Sequence, residues 1–182
     1  MTLTPTLASV EALYRKLERE FYRAYHHTDR LHKADHFLNF CITAHSMRDH
    51  FLERVGKITQ TDQKPFHDQW AKKPLLVAAQ EIANSTKHFT LRNLRSRALR
   101  PPKTRHVRFG TSKFADVYVS DDGRTKVVLR RGLDIFIVLS DNTRYEFYSF
   151  MSEILSYWRD FLRKNGIRVR RQPLGKLRGT VT

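Results

Sequence analysis

PLLVAAQEIANSTKHF, residues 74–89, is the stretch from which the rest of the chain is best interpreted. Pro74 suits the first position of a helix, where its missing N–H costs nothing. Apolar residues then recur every three or four positions and predict one buried stripe. Glu81, Asn84 and His88 fall at i, i+3 and i+7, so they form a polar line along another side of this helix. Asn is a poor interior helix former, so this line indicates either a functional site or a buried polar network.

Helical periodicity continues on both sides of this stretch. Ser9 suits the N-cap of a first helix that ends near residue 27. Residues 30–55 predict the longest helix, with Gly56 as its stop. Two neighbouring stripes, one from Leu31 to Val55 and one from Phe37 to Phe51, make this helix apolar over a wide surface and predict a central position in a bundle. A short helix at about 66–72 and a final helix at about 145–164 complete the set.

The period of the apolar residues changes from 3.6 to 2 before the last helix. Three segments rich in β-branched and aromatic residues predict strands: KFADVYVS (113–120), TKVVLRR (125–131) and LDIFIVLS (133–140). Asp121-Asp122-Gly123 predicts a hairpin turn, and Gly132 predicts a break between the second and third strands. We therefore expect a mainly α protein: an up-and-down helical bundle with a small antiparallel three-stranded β-meander inserted before the last long helix. One domain would cover residues 1–166, with the insertion at about 105–143 and a basic tail at 167–182.

Positive charge is concentrated in two segments of a chain whose formal net charge is +16. Residues 87–108 carry eight Lys and Arg and no acid, and residues 159–182 carry eight against one acid. Clustered Arg suits phosphate, because the planar guanidinium can bind it through two parallel hydrogen bonds. Nucleic acid is therefore the favoured partner of these segments. The less favoured alternatives are that the segments only make the surface more soluble or that they bind an anionic membrane. The candidate nucleic-acid-binding residues are Lys87, Arg92, Arg95, Arg97, Arg100, Lys103, Arg105, Arg168, Arg170 and Arg171.

Several classes of protein are disfavoured by composition and motif. The single cysteine, Cys41, excludes an internal disulfide and a cysteine-based zinc cage. The sequence has no apolar run long enough to span a bilayer and no secretion signal at its start, so we predict a cytoplasmic protein. His32 and His36 are spaced like metal ligands but supply only two, so no metal is predicted. Glycine-rich phosphate loops, GxSxG and HExxH are absent from the sequence, and no cofactor is predicted.

A second polar cluster, His45, Arg48 and Asp49, lies within one turn of the longest helix. If this helix packs on the fourth helix, the cluster would meet Asn84 and His88 in a cleft. Arg would hold a phosphate, His would move a proton near neutral pH, and Asn or Asp would orient it. The alternative is a structural network in which a buried Arg48 contacts Asp49 or Asn84 and fixes the helix register. Residue types alone favour this alternative.

The combination of SMRDHF (46–51) on a long second helix with EIANSTKHF (81–89) resembles the HEPN superfamily. These proteins are small helical bundles, often dimeric, and many act as metal-independent RNases in toxin–antitoxin and phage-defence systems. The resemblance covers about residues 10–95 plus the last helix. It implies RNA rather than DNA as the ligand, a homodimer, and cleavage in which His88 acts as acid/base.

The RNase motif of that family is only partly present. It consists of an Arg, a polar residue and then a His, of which Asn84 and His88 match the last two, whereas the Arg position falls on Ala83 or Ile82. Either Arg48 or Lys87 replaces the missing charge, or the protein binds RNA without cutting it. The candidate catalytic residues are Arg48, Asp49, Asn84 and His88.

Two non-enzymatic readings stay open at this point. In the first, the protein is a nucleic-acid-binding or adaptor subunit of a phage or defence complex, and the β insertion at 113–140 docks a protein partner. In the second, it is an antitoxin-like protein that neutralises another protein.

Overall fold

The computed structural model describes residues 7–85, 103–120 and 122–169, which form five helices and three strands. The helices are α1 (Val10–His26), α2 (Arg30–Arg54), α3 (Gln60–Ala71), α4 (Pro74–Ser85) and α5 (Phe147–Lys164). The strands are β1 (Thr104–Val119), β2 (Thr125–Leu139) and β3 (Arg144–Glu146), joined in the antiparallel order β1-β2-β3. The predicted architecture is therefore confirmed: a helical bundle with a small antiparallel sheet inserted before the last long helix. Among the described residues, no helix is both long and apolar enough to cross a membrane.

Helix ends are set by local chemistry, as the sequence indicated for Ser9 and Gly56. Ser9 Oγ accepts a hydrogen bond from the Ala12 N–H at 3.1 Å and caps α1. Asp29 Oδ1 accepts one from the His32 N–H at 2.9 Å and caps α2. Gly56 and Gly166 follow α2 and α5 with φ of 69° and 77°, a left-handed conformation that favours glycine after a helix.

Helix α2 lies at the centre of the core and runs parallel to α5. Near its start the Phe37 and Phe147 ring centroids are 5.5 Å apart, and near its end those of Phe51 and Phe161 are 4.7 Å apart. The Phe37–Phe51 stripe is buried throughout. The other predicted stripe is buried only in part, because Leu31 at its start is 74% exposed and Val55 at its end is 37% exposed. Both residues lie at the ends of α2, where the neighbouring helices no longer cover it.

The sheet departs from the prediction of three similar strands. β2 runs through Gly132 without a break, and β1 begins at Thr104 rather than at residue 113. Gly132 pairs with Ser112 in the middle of the β1–β2 ladder, because backbone hydrogen bonds do not require a side chain. The third strand is the short β3, which pairs with the end of β2. The insertion is thus one long hairpin with a short third strand along one end.

Only one end of this hairpin belongs to the core. Ile135, Ile137 and Leu139 of β2 are at most 1% exposed and pack on the helices. Beyond them the hairpin continues as a two-stranded segment, residues 111–119 paired with 125–133, which we call the ribbon tip. Val127 on the ribbon tip is 57% exposed and Leu129 is 73% exposed. Both apolar side chains therefore lie open to solvent on the ribbon tip.

The start of the predicted C-terminal tail packs on the bundle. Ile167 is 7% exposed and belongs to the core, and Val169 packs against it. The core therefore extends at least three residues past the predicted domain boundary at residue 166.

Candidate nucleic-acid interface

Arg48 of α2 is buried against α4 rather than open to solvent. Helices α2 and α4 pack together, which was the condition for bringing the two polar clusters near each other. The Arg48 side chain is held by a hydrogen bond from its Nη1 to Gln80 Oε1 at 2.6 Å, and the whole residue is 7% exposed. Its Cζ also lies 5.6 Å from the ring centroid of Trp70. The guanidinium is thus enclosed by one neutral amide and an aromatic ring.

The pKa values of Arg48 and Tyr157 reflect that burial. Desolvation lowers the pKa of Arg48, and the charges of Asp49 and Tyr157 partly oppose the shift. Burial raises the pKa of Tyr157, with the Trp70 indole N–H and the Arg48 charge acting in the other direction. Arg48 Nη2 is buried and has no hydrogen-bond partner within the described ranges. An enclosed cation with one neutral acceptor is typical of a structural network more than of a phosphate clamp.

The four candidate catalytic residues are distributed unevenly around this cluster. Asp49 follows Arg48 on the exposed side of α2, and Asn84 is half-buried one turn after Gln80 on α4. His88 lies outside the described residues, as does Lys87. The expected contact of Arg48 with Asp49 or Asn84 is replaced by the contact with Gln80. Gln80 could have been considered from the sequence, because it lies four residues before Asn84 and so on the same side of α4.

The ten candidate nucleic-acid-binding residues are described only in part. Arg105 is exposed, and its Nη1 donates to Asn142 Oδ1 at 3.0 Å in the turn before α5. Lys103 is half-buried beside the same turn, where its N–H donates to Ser140 Oγ at 3.1 Å. Arg168 is exposed just after α5. The others lie outside the described residues: Lys87, Arg92, Arg95, Arg97, Arg100, Arg170 and Arg171.

Arg105 and Arg168, one from each basic segment, lie before and after α5 in the chain. Arg105 contacts the turn that precedes this helix, whereas Arg168 follows its C-terminus. Eighteen residues of α5, at about 1.5 Å of rise each, place the two ends roughly 27 Å apart. A ligand that contacts both ends must therefore be extended.

The ribbon tip adds cations that the sequence analysis did not single out. Lys113 and Arg131 are both exposed and face each other directly across the β1–β2 ladder. Like charges in directly opposite positions destabilise a hairpin, so this arrangement favours an anion bound between them. Lys126 and Arg108 are exposed on the other side of the hairpin. No ion pair joins any of these four residues to a carboxylate in the described part of the chain.

Two further features could in principle form a ligand site, a pocket and a pair of histidines, but both offer few groups that could bind or react with a ligand. A pocket of about 240 Å³ between α4, β3 and α5 is mostly apolar, with Lys73, Glu153, Tyr145 and Tyr157 as its ionisable groups. His36, one of the two histidines with metal-ligand spacing, bonds through Nδ1 to Glu20 Oε2 at 2.9 Å. Within the described ranges, no group of three or more His, Cys, Asp or Glu side chains is arranged to hold a metal ion.

Comparisons of the chain with protein-family models, with curated proteins and with solved structures found no match.

Proposed function

We propose that this protein binds nucleic acid through exposed Arg and Lys side chains on the hairpin and at both ends of α5. The observation that carries the proposal is the opposed pair Lys113–Arg131, which has no carboxylate partner among the described residues. The net charge of +16 supports it, because such a charge attracts polyanions over a long range. The resemblance to HEPN proteins makes RNA the first ligand to test.

Because Arg48 is buried, we propose that the protein binds RNA and that Arg48 takes no part in cleaving it. A phosphate clamp must reach its ligand, whereas Arg48 is 7% exposed and bonded to Gln80. Cleavage through His88 stays a prediction. A metal-free RNA cleavage assay that compares the protein with His88→Ala tests it, and equal activity in both would remove His88 from any catalytic role. A homodimer and a cytoplasmic location also stay predictions.

Fluorescence anisotropy with a labelled RNA strand, measured across a range of salt concentrations, tests the binding proposal. Each phosphate contact that is lost should lower the salt slope by about one. We expect the double variant Lys113→Ala/Arg131→Ala to bind several-fold more weakly at low salt, with a slope smaller by about two.

Lys64→Ala is the matched control, because Lys64 is also an exposed cation but its Nζ is already paired with Asp68 Oδ2 at 2.8 Å. It should leave affinity and slope unchanged. A shallow slope for the unmodified protein would overturn the proposal and favour a protein partner instead.

A further inference from the structure

The apolar face of the sheet extends beyond the helices that cover it. In an antiparallel ladder, directly opposite residues share a face, and every second residue along a strand returns to that face. Ile135 and Ile137, which are at most 1% exposed, pack on the helices from one face of β2. Leu129 and Val127 continue the same alternation into the ribbon tip, where they are 73% and 57% exposed. The face that forms the core near the bundle is thus uncovered farther along the hairpin.

Strand β1 contributes matching side chains to this face. Val119 is 70% exposed and pairs with the exposed Thr125, and the exposed Ala115 pairs with Leu129. We call this set of exposed residues the ribbon face: Ala115, Val119, Thr125, Val127 and Leu129. An isolated two-stranded hairpin is marginally stable at best in water, and a contiguous exposed apolar surface marks a site of association. We therefore expect the ribbon face to pack on another surface.

Charge and polarity narrow the choice of that surface. Nucleic acid fits the ribbon face poorly, because phosphates and base edges are bound mainly by polar groups and the face offers only the Thr125 hydroxyl. Residues 86–102 and 170–182 of the same chain carry five and four Lys and Arg and no acid. Lys113 and Arg131 lie next to the ribbon face on its bundle side and would repel both segments.

A second copy of the ribbon tip matches this face in shape and in charge. Two such faces would form two layers of two strands about 10 Å apart, the spacing of stacked sheets. If the two ribbons run antiparallel, the Lys113–Arg131 pair of each copy lies beside the other copy's turn at residues 120–124, which holds two Asp and one Arg. The two cation pairs are then roughly 26 Å apart, beyond the range of strong repulsion. Both pairs stay at the rim, where phosphates can reach them.

The size of the ribbon tip suits a weak, reversible dimer. Nine residues in each strand give it a length of about 30 Å, and two strands give it a width of about 10 Å. Two copies would together bury on the order of 600–1,000 Å², which is the lower end of specific interfaces. We propose that the protein forms a homodimer in which the ribbon faces of two copies pack antiparallel to each other. The interface does not require nucleic acid, so this inference goes beyond the proposed function.

Sedimentation velocity over a series of protein concentrations, without RNA, tests for this dimer. We expect a monomer–dimer equilibrium with a dissociation constant on the order of 1–100 μM, because the interface is small. Val127→Thr/Leu129→Thr keeps residues that favour strands but removes apolar surface, so it should raise the dissociation constant at least about tenfold. Ile58→Thr is the matched control, because Ile58 is 83% exposed in the loop before α3. It should leave the equilibrium unchanged.

Cross-linking tests which face forms the interface and how the ribbons are oriented. Cys41, the one cysteine of the chain, is buried, so an introduced surface cysteine provides the reactive thiol. In the antiparallel dimer Val127 faces its counterpart, and Val127→Cys should be joined by a thiol reagent that spans about 10 Å. Lys126→Cys lies on the other side of the hairpin and should not be joined. Arg131→Cys, roughly 26 Å from its counterpart, should not be joined either.

Several results would overturn the inference. A protein that stays monomeric up to about 100 μM would do so, as would a dimer that Val127→Thr/Leu129→Thr does not weaken. Cross-linking of Lys126→Cys or Arg131→Cys as efficient as that of Val127→Cys would exclude the proposed packing. Urea denaturation of each variant checks that it is folded. A shallow salt slope in RNA binding would overturn the proposed function alone, because dimerisation is measured without RNA.

Discussion

At the scale of single residues, Arg48 shows how burial decides the role of a charged side chain. Its guanidinium has one hydrogen bond, to the neutral Gln80, and no carboxylate partner in the described ranges. Taking a charge out of water costs several kcal/mol, and one neutral acceptor with an aromatic ring offsets only part of that penalty. Arg48 is therefore expected to specify the contact between α2 and α4 while adding little to stability.

Replacing Arg48 by an apolar side chain of similar length tests whether its role is structural. We expect Arg48→Met to change the free energy of unfolding by less than about 1 kcal/mol or to increase it, because the buried charge disappears while the packing is kept. Gln80→Ala should destabilise by about 1–3 kcal/mol, because it leaves the charge with no acceptor. Urea denaturation measures both. RNA affinity should be unchanged in Arg48→Met, and a selective loss of RNA affinity would contradict the structural role.

Gly110 is constrained by its neighbour across the hairpin. A Cβ at this position would clash with the Phe136 ring, which is 3% exposed and has the Arg144 guanidinium 3.7 Å above its centroid. The ring cannot move without breaking that contact. We therefore expect Gly110→Ala to lower the free energy of unfolding by about 1–3 kcal/mol, as overpacking does. Thermal or urea denaturation checks this, with Phe136→Leu as the second arm of a double-mutant cycle. A purely additive double variant would show that the clash is not the cause.

At the scale of the elements, the helices were predictable except for the start of α3, which lies at Gln60 and not near residue 66, and the sheet was less so. Helix ends such as Ser9 and Gly56 are marked by residues next to them, and buried stripes follow a local period. The beginning of β1 lies in a basic segment after two prolines, and β2 contains a glycine, so both look unlike strands in isolation. Their pairing over the whole ladder is a non-local property that no single window of sequence contains.

The candidate site shows the same difference between local patterns, which the sequence contains, and contacts that depend on how the elements meet. The apolar stripes of α2 and α4 were visible in the sequence, but the choice of Gln80 over Asn84 as the partner of Arg48 depends on how the two helices meet. The opposed pair Lys113–Arg131 likewise requires the register of the hairpin. Charge clusters could be read from the sequence, whereas the residues that face each other could not.

The ribbon tip should be separable from the bundle. Among the residues between Ser112 and Gly132 whose side chains the structure describes, none belongs to the hydrophobic core cluster, and Thr111 pairs directly with Leu133. Replacing residues 112–132 by a two-residue Asn-Gly turn should keep the hairpin closed. We expect the free energy of unfolding to change by less than about 1 kcal/mol, because exposed surface away from the core contributes little.

RNA binding should respond differently to the same deletion. The shortened protein loses five cations, among them Lys113, Lys126 and Arg131, against three acids. Its RNA affinity at low salt should therefore fall by at least about tenfold, and its salt slope should become shallower. Anisotropy titration and urea denaturation of one preparation measure the two effects together. Unchanged affinity would show that the ribbon tip does not contact the ligand.

At the scale of the whole molecule, the placement of charge determines how long a bound strand must be. Arg105 contacts the β2–β3 turn, which precedes α5 in the chain, and Arg168 follows the C-terminus of this helix, whose eighteen residues span roughly 27 Å. A stacked strand advances about 3.4 Å per nucleotide, so a strand that contacts both ends needs about eight nucleotides, and fewer if it is extended. Affinity should therefore rise with oligonucleotide length up to about that size and then increase only slowly.

Variants that remove one charge near either end of α5 test this length dependence at single residues. On a strand of about twelve nucleotides, Arg105→Ala and Arg168→Ala should each weaken binding and each lower the salt slope by about one. On a strand of about four nucleotides, which is too short to contact both ends, the two variants together should not lower the slope by more than either does alone. Anisotropy titrations over a series of lengths measure both effects. If a strand of about four nucleotides bound as tightly as the longer one, all contacts would lie at one end of α5, and the bundle would carry a local site instead of an extended track.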